Sequence, residues 1–133
     1  MDLIKKIYGI LLFVAVITIL LLTFQDSEGT VRLSESLRHL FEQIGIHSDF
    51  HSIRSNIHIV LYFVFGVVLS LFGRKCGWNW WVILIIGCGF GLLDEGIKVL
   101  LPTREFDIID AAKDWIGVAT AMIVIHLIEK NGR

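Results

Sequence analysis

The chain has 133 residues, 55% of them hydrophobic, and a formal net charge of −1. That length holds one domain, and a mean hydropathy of +0.73 leaves too little polar surface for a soluble one. A charge so near zero gives no argument for a nucleic-acid partner or a polybasic tail, so the information lies in where the charges fall.

The first apolar run, 7–24, follows Lys5 and Lys6. A secretory signal would have a shorter apolar core and a small-residue cleavage site. Thr23-Phe24-Gln25-Asp26 offers none, so the run reads as an uncleaved transmembrane span. Residues 25–56 form a polar outer loop. Within it Leu33, Leu37, Leu40, Phe41 and Ile44 recur at helical spacing, which predicts an amphipathic helix of about three turns stopped at Gly45. Such a helix lies at the membrane interface or caps the bundle; the spacing fits both. A second span covers 57–72, interrupted by His58, Tyr62 and Ser70 and closed by Arg74 and Lys75. A third covers 80–101. Trp78, Trp80 and Trp81 anchor its start at headgroup level, and Pro102 ends it. A fourth covers 108–127, followed by Lys130 and Arg133.

Lys5, Lys6, Arg74, Lys75, Lys130 and Arg133 collect on one side of these spans. Arg32, Arg38 and Arg54 are spread over the long acidic loop on the other, with Arg104 in the last turn. The positive-inside rule then places both termini in the cytoplasm. Cys76 and Cys88 are separated by roughly 18 Å of helix, too far for a disulfide, and neither has metal-ligand spacing.

Ionisable residues inside spans cost several kcal/mol each unless paired or hydrated. This chain carries Asp94, Glu95 and Lys98 in span three, Asp107, Asp110, Lys113 and Asp114 at the start of span four, and Arg54, His58 and Tyr62 at the start of span two. Each set forms one helical stripe: Arg54–His58–Tyr62, Gly87–Gly91–Glu95–Lys98, and Asp107–Asp110–Asp114–Gly117. Gly87 and Gly91 give a small-xxx-small surface that admits a close neighbouring helix. At 1.5 Å per residue, Glu95 lies about 9 Å below Leu101 and Asp114 about 10 Å below Asp107. The three stripes therefore meet in the outer half of the bilayer. His58 with Asp110 is a possible acid–base pair, but no hydrolase motif surrounds either. No nucleotide, metal or redox motif is present and no cofactor is expected; the carboxylates are of a kind that binds divalent cations, but their spacing alone does not call for one.

The stretch Asp94-Glu95-Gly96-Ile97-Lys98, then Pro102-Thr103-Arg104, then Asp107, Asp110, Asp114 and Gly117 resembles the VanZ-like family, whose pattern reads DE-xx-Q, P-G-R, D-xxx-N-xx-G. Upstream, Arg54, His58, Tyr62 and Gly66 match its basic residue and H-xxx-Y-xxx-G. Gln25, Ser27, Thr30 and Ser34 echo its polar stretch after the first span. Three positions depart: Lys98 stands for the family's Gln, Asp114 for its Asn and Thr103 for its Gly. Where an amide pair is usual, this chain has two opposite charges, and Lys98 and Asp114 are expected to bridge spans three and four. The family is named for an accessory protein that lowers susceptibility to the glycopeptide teicoplanin, so the resemblance implies a cell-envelope role.

The expected fold is all-α: four transmembrane helices plus an outer interfacial amphipathic helix, in one domain over 1–133. The expected function is binding of an amphiphilic envelope ligand, such as a lipid headgroup or a lipoglycopeptide, in an outward polar pocket. Arg54 and Arg104 meet its anionic groups, and His58, Tyr62, Glu95, Asp107 and Asp110 complete the lining. The alternatives are an enzyme acting on a lipid-linked substrate and a purely structural membrane subunit. The topology has a direct test. In a cysteine-free background in intact cells, an impermeant thiol reagent should label a Cys at Ser48 and leave one at Asn79 unlabelled; reversed labelling would invert the orientation.

Overall fold

The computed structural model describes residues 2–24, 27–47, 50–102 and 104–132, and only the backbone of 27, 28, 30 and 50–55. The described residues form five α-helices and no strand: α1 Leu3–Thr23, α2 Ser27–Gln43, α3 Phe50–Lys75, α4 Trp80–Lys98 and α5 Ile108–Asn131. Local sequence explains where they begin and end. The side chains of Asp2, Asn79 and Asp107 accept from the first free N–H groups of α1, α4 and α5, as N-caps do. Gly45 and Gly77 take φ +81° and +80°. After each, the chain folds back: Ile46 N–H reaches Phe41 O at 2.9 Å and Trp78 N–H reaches Gly73 O at 2.8 Å. These are Schellman stops, and they need a residue tolerant of the left-handed region.

Several boundaries differ from the sequence reading. The amphipathic helix spans 17 residues rather than three turns, because its polar first turns carry no apolar periodicity to announce them. The third helix starts at Phe50, before the apolar run that marks the span. The fourth ends at Lys98 in a series of tight turns, with Leu101 N–H on Lys98 O at 3.0 Å.

Three helices are long and apolar enough to cross a membrane: Leu3–Thr23, Asn56–Lys75 within α3, and Trp80–Lys98. They expose Ile10, Phe13, Leu21, Val60, Val64, Ile85 and Leu93, which suits lipid rather than water. α5 is also long, but Asp110, Lys113 and Asp114 fall in its first two turns, and it is not one of the three.

The long helices alternate in direction. Gly9 near the start of α1 lies against Phe72 near the end of α3, and Arg74 meets Glu129 at 3.3 Å where α3 and α5 end together. The same Arg74 lies over the Trp80 ring at 5.1 Å. That end therefore gathers Lys5, Lys6, Arg74, Lys75 and Lys130. The opposite end gathers the end of α1, the start of α3, the end of α4 and the start of α5, where the charged stripes lie.

The core between them is Ile19, Tyr62, Phe65, Leu69, Ile83 and Val118, with Phe65 and Phe90 stacked at 5.0 Å. The α3–α5 contact is the most extensive. It depends on Gly117, where an added Cβ would sit 2.7 Å from Ile59 O and 2.8 Å from Phe63 N. Gly87 and Gly91 admit α5 to α4 as their spacing predicts, facing Val118 and Asp114. Because the atoms facing Gly117 are backbone, they cannot turn aside. Gly117→Ala should destabilise the protein by about 1–3 kcal/mol, measured as a lower unfolding midpoint in detergent. An unchanged midpoint would mean that the two helices are not so closely packed.

Candidate functional site

The three stripes converge as their faces predict, into one connected network. Tyr62, fully buried on α3, donates its hydroxyl to Asp94 Oδ2 at 2.9 Å. Thr23, on the last turn of α1, donates to Asp94 Oδ1. Asp94 is thus a buried carboxylate held by two uncharged donors from two other helices. Its neighbour Glu95 is fully buried. One of its oxygens takes the Lys98 ammonium, and the other accepts the backbone N–H of Asp107 at 3.3 Å.

α3 and α5 are joined through His58. Its Nδ1 lies 3.0 Å from Asp114 Oδ1 and its Nε2 lies 3.4 Å from Asp110 Oδ2. Asp110 also faces Lys113 at 3.5 Å and Lys98 at 4.0 Å. Both imidazole nitrogens face carboxylates, so neither can take a proton from a substrate without breaking a contact. That geometry suits a cross-link better than a general base.

Above the network lies a cavity of about 500 Å³, within the range of small-ligand sites. Its polar floor includes Asp94, Lys98, Asp110 and Lys113, and its apolar wall is built from Ile19, Leu22, Ile57 and Leu61. Arg104 and Asp107 stand at the edge, and α2 contributes Leu33 and the fully buried Ser34. α2 thus packs on the bundle through one side while Leu40 and Ile44 remain exposed.

Of the residues expected from sequence, His58, Tyr62, Arg104, Asp107 and Asp110 line this cavity. Glu95 does not; it is sealed behind Lys98. Asp107 also serves as the N-cap of α5, accepting from Ile109 N–H at 2.8 Å. The Arg54 side chain lies outside the described residues, as do Gln25, Thr103 and the side chains of Ser27 and Thr30. The expected Lys98–Asp114 bridge does not form. Lys98 pairs with Glu95 and approaches Asp110, while Asp114 is engaged by His58. The reason is position along the helix. Asp110 is one turn, about 6 Å, nearer the start of α5 than Asp114, at the level a lysine from the last turn of α4 can reach.

Sequence reasoning passed over Thr23, and it placed Asp94 in the charged cluster without counting it in the expected lining. Asp94 follows Gly87 and Gly91 at i+7 and i+3, so it shares the stripe that Glu95 was chosen to represent. Thr23 gave no signal, being one hydroxyl at the end of an apolar run.

The chain matches the family model described as VanZ/LLP1 over residues 7–129, nearly its whole length. No curated protein and no solved structure matches.

The revised pairing can be measured. Lys98→Gln strands the Glu95 charge in the interior and should cost about 3–5 kcal/mol of stability. Adding Glu95→Gln should restore most of the loss, whereas adding Asp114→Asn should not. Equal rescue by the two second changes, read from unfolding midpoints in a double-mutant cycle, would contradict the assignment.

Proposed function

The chain belongs to the VanZ/LLP1 family, and from that premise we propose that it is a multi-pass cytoplasmic-membrane protein of the bacterial envelope whose outward cavity binds an amphiphilic ligand. In this reading α1, α3, α4 and α5 all cross the bilayer, α5 being tolerated as a span because its charges face the bundle. Both termini are cytoplasmic, by the gathering of Lys5, Lys6, Arg74, Lys75 and Lys130 at one end. α2 lies at the outer interface, its exposed Leu40 and Ile44 in the lipid boundary. The contribution to the cell is reduced susceptibility to teicoplanin-type glycopeptides, the resistance to which the family is linked.

One observation carries this reading: the cavity joins a charged floor to an apolar wall at the end of the bundle away from the basic termini. An acyl chain or aromatic body would lie along Ile19, Leu22, Ile57 and Leu61. Anionic groups would meet Arg104 and Lys113, and a ligand amine would meet Asp110. Charge-assisted contacts in a desolvated setting are the strong ones.

A purely structural role is the second reading, favoured by the complete pairing of Glu95 with Lys98 and the Asp107 N–H. It gives the cavity no use. The two readings part in one experiment. Expressed in a teicoplanin-susceptible host, the wild-type protein should lower susceptibility, and Arg104→Ala and Lys113→Ala should lose that effect at equal membrane level. Binding of labelled teicoplanin to the purified variants should weaken about tenfold to a hundredfold, the worth of one hydrogen bond to a charged group. Full protection by both variants would favour the structural role, and no effect of the wild type would overturn the resistance assignment.

A further inference from the structure

Behind the cavity, the buried charged side chains carry more negative than positive charge. Among the described residues, the buried carboxylate and ammonium side chains are Asp94, Glu95, Lys98 and Asp114, three carboxylates to one ammonium. Lys98 is committed to Glu95. His58 serves one oxygen of Asp114 and divides itself with Asp110. Asp94 receives the neutral hydroxyls of Thr23 and Tyr62. The second oxygen of Asp114 is buried and has no hydrogen-bond partner. One or two negative charges thus remain in this group, depending on whether His58 carries a proton.

The three buried carboxylates also come close together. One carboxylate oxygen from each of Asp94, Glu95 and Asp114 lies within 4.8 Å of the other two. Hard divalent cations bind oxygens at about 2.0–2.6 Å, so two ligand oxygens on one ion lie at most about 5 Å apart. The existing contacts do not block an ion, because each carboxylate offers about four acceptor positions. They resemble the outer partners that orient metal ligands: Thr23 and Tyr62 fix Asp94, His58 fixes Asp114, and the Asp107 N–H fixes Glu95. A second trio, His58, Glu95 and Asp110, is equally close, but Asp110 already faces His58, Lys98 and Lys113.

We propose that Asp94, Glu95 and Asp114 form a binding site for one hard divalent cation, Mg²⁺ or Ca²⁺, entered from the cavity past Asp94. The site draws on carboxylate geometry alone and stands whether or not the cavity above it binds a glycopeptide.

The test uses the full-length protein in detergent, stripped with EDTA. Binding is followed by equilibrium dialysis with radioactive Ca²⁺ and by calorimetry with Mg²⁺, and unfolding is followed at constant ionic strength. The wild type should bind one ion per chain and show a saturable rise in unfolding midpoint. Asp94→Asn and Asp114→Asn should each weaken binding by about tenfold or more, since affinity follows ligand charge. Glu42→Gln, which removes an exposed carboxylate on α2, should bind as the wild type does. If the single changes prevent folding, the paired change Lys98→Gln with Glu95→Gln removes one ligand charge and strands none, and it too should weaken binding. Absence of saturable binding to the wild type would overturn the proposal. So would undiminished binding in the folded variants, or stabilisation by acidification with none from either cation, which would show that protons fill the site.

Discussion

A carboxylate buried among apolar helices must be supplied with donors or charge from its own surroundings, and in this chain one carboxylate draws three helices together to meet that need. Asp94 takes its hydroxyls from Thr23 on α1 and Tyr62 on α3. Neither donor sits on its own helix, so the position of α4 is fixed relative to both. The rest of the polar end follows from this demand. Glu95 beside it has to be neutralised locally, which Lys98 does one turn on, and Asp114 opposite has to be held by His58. Breaking one such link leaves a charge uncompensated in a low-dielectric setting, which costs more than the link itself contributes.

Such a network forms only if the helices come close, and the small residues allow that. Gly66 and Gly117 let α3 and α5 approach with backbone near backbone, and Gly91 lets Asp114 stand directly over α4. Above the network lies the cavity. Its lining combines the charged residues with the apolar Ile19, Leu22, Ile57 and Leu61. The other end of the bundle is closed more simply, by Arg74 between Glu129 and the Trp80 ring.

Much of this architecture was legible because it is written in periodicity. The apolar runs gave the long helices, the i, i+4 repeats gave the faces of His58, Tyr62 and Gly117, and the spacing from Asp94 to Gly117 gave the family. What was not legible depends on partners brought together by folding. Thr23 carries no mark of its meeting with Asp94. The partner of Lys98 could not be read from depth alone, because α4 ends at Lys98 while the apolar run continues to Leu101. Asp107 looked like a ligand-facing charge, yet the start of α5 uses it as a cap, and Glu95 is sealed by contacts to a residue on its own helix and to the Asp107 backbone.

In the proposed function the polar end is a water-reachable chamber entered from outside. Leu61 lines the cavity, whereas its neighbour Val60 is exposed on the outer surface of α3. In cells carrying the protein with Cys76 and Cys88 replaced by Ser, single cysteines at these two positions separate the chamber from the lipid face. An impermeant, charged methanethiosulfonate added outside should modify Leu61→Cys and leave Val60→Cys unmodified. Modification of neither, or of Val60→Cys alone, would contradict an outward-facing chamber.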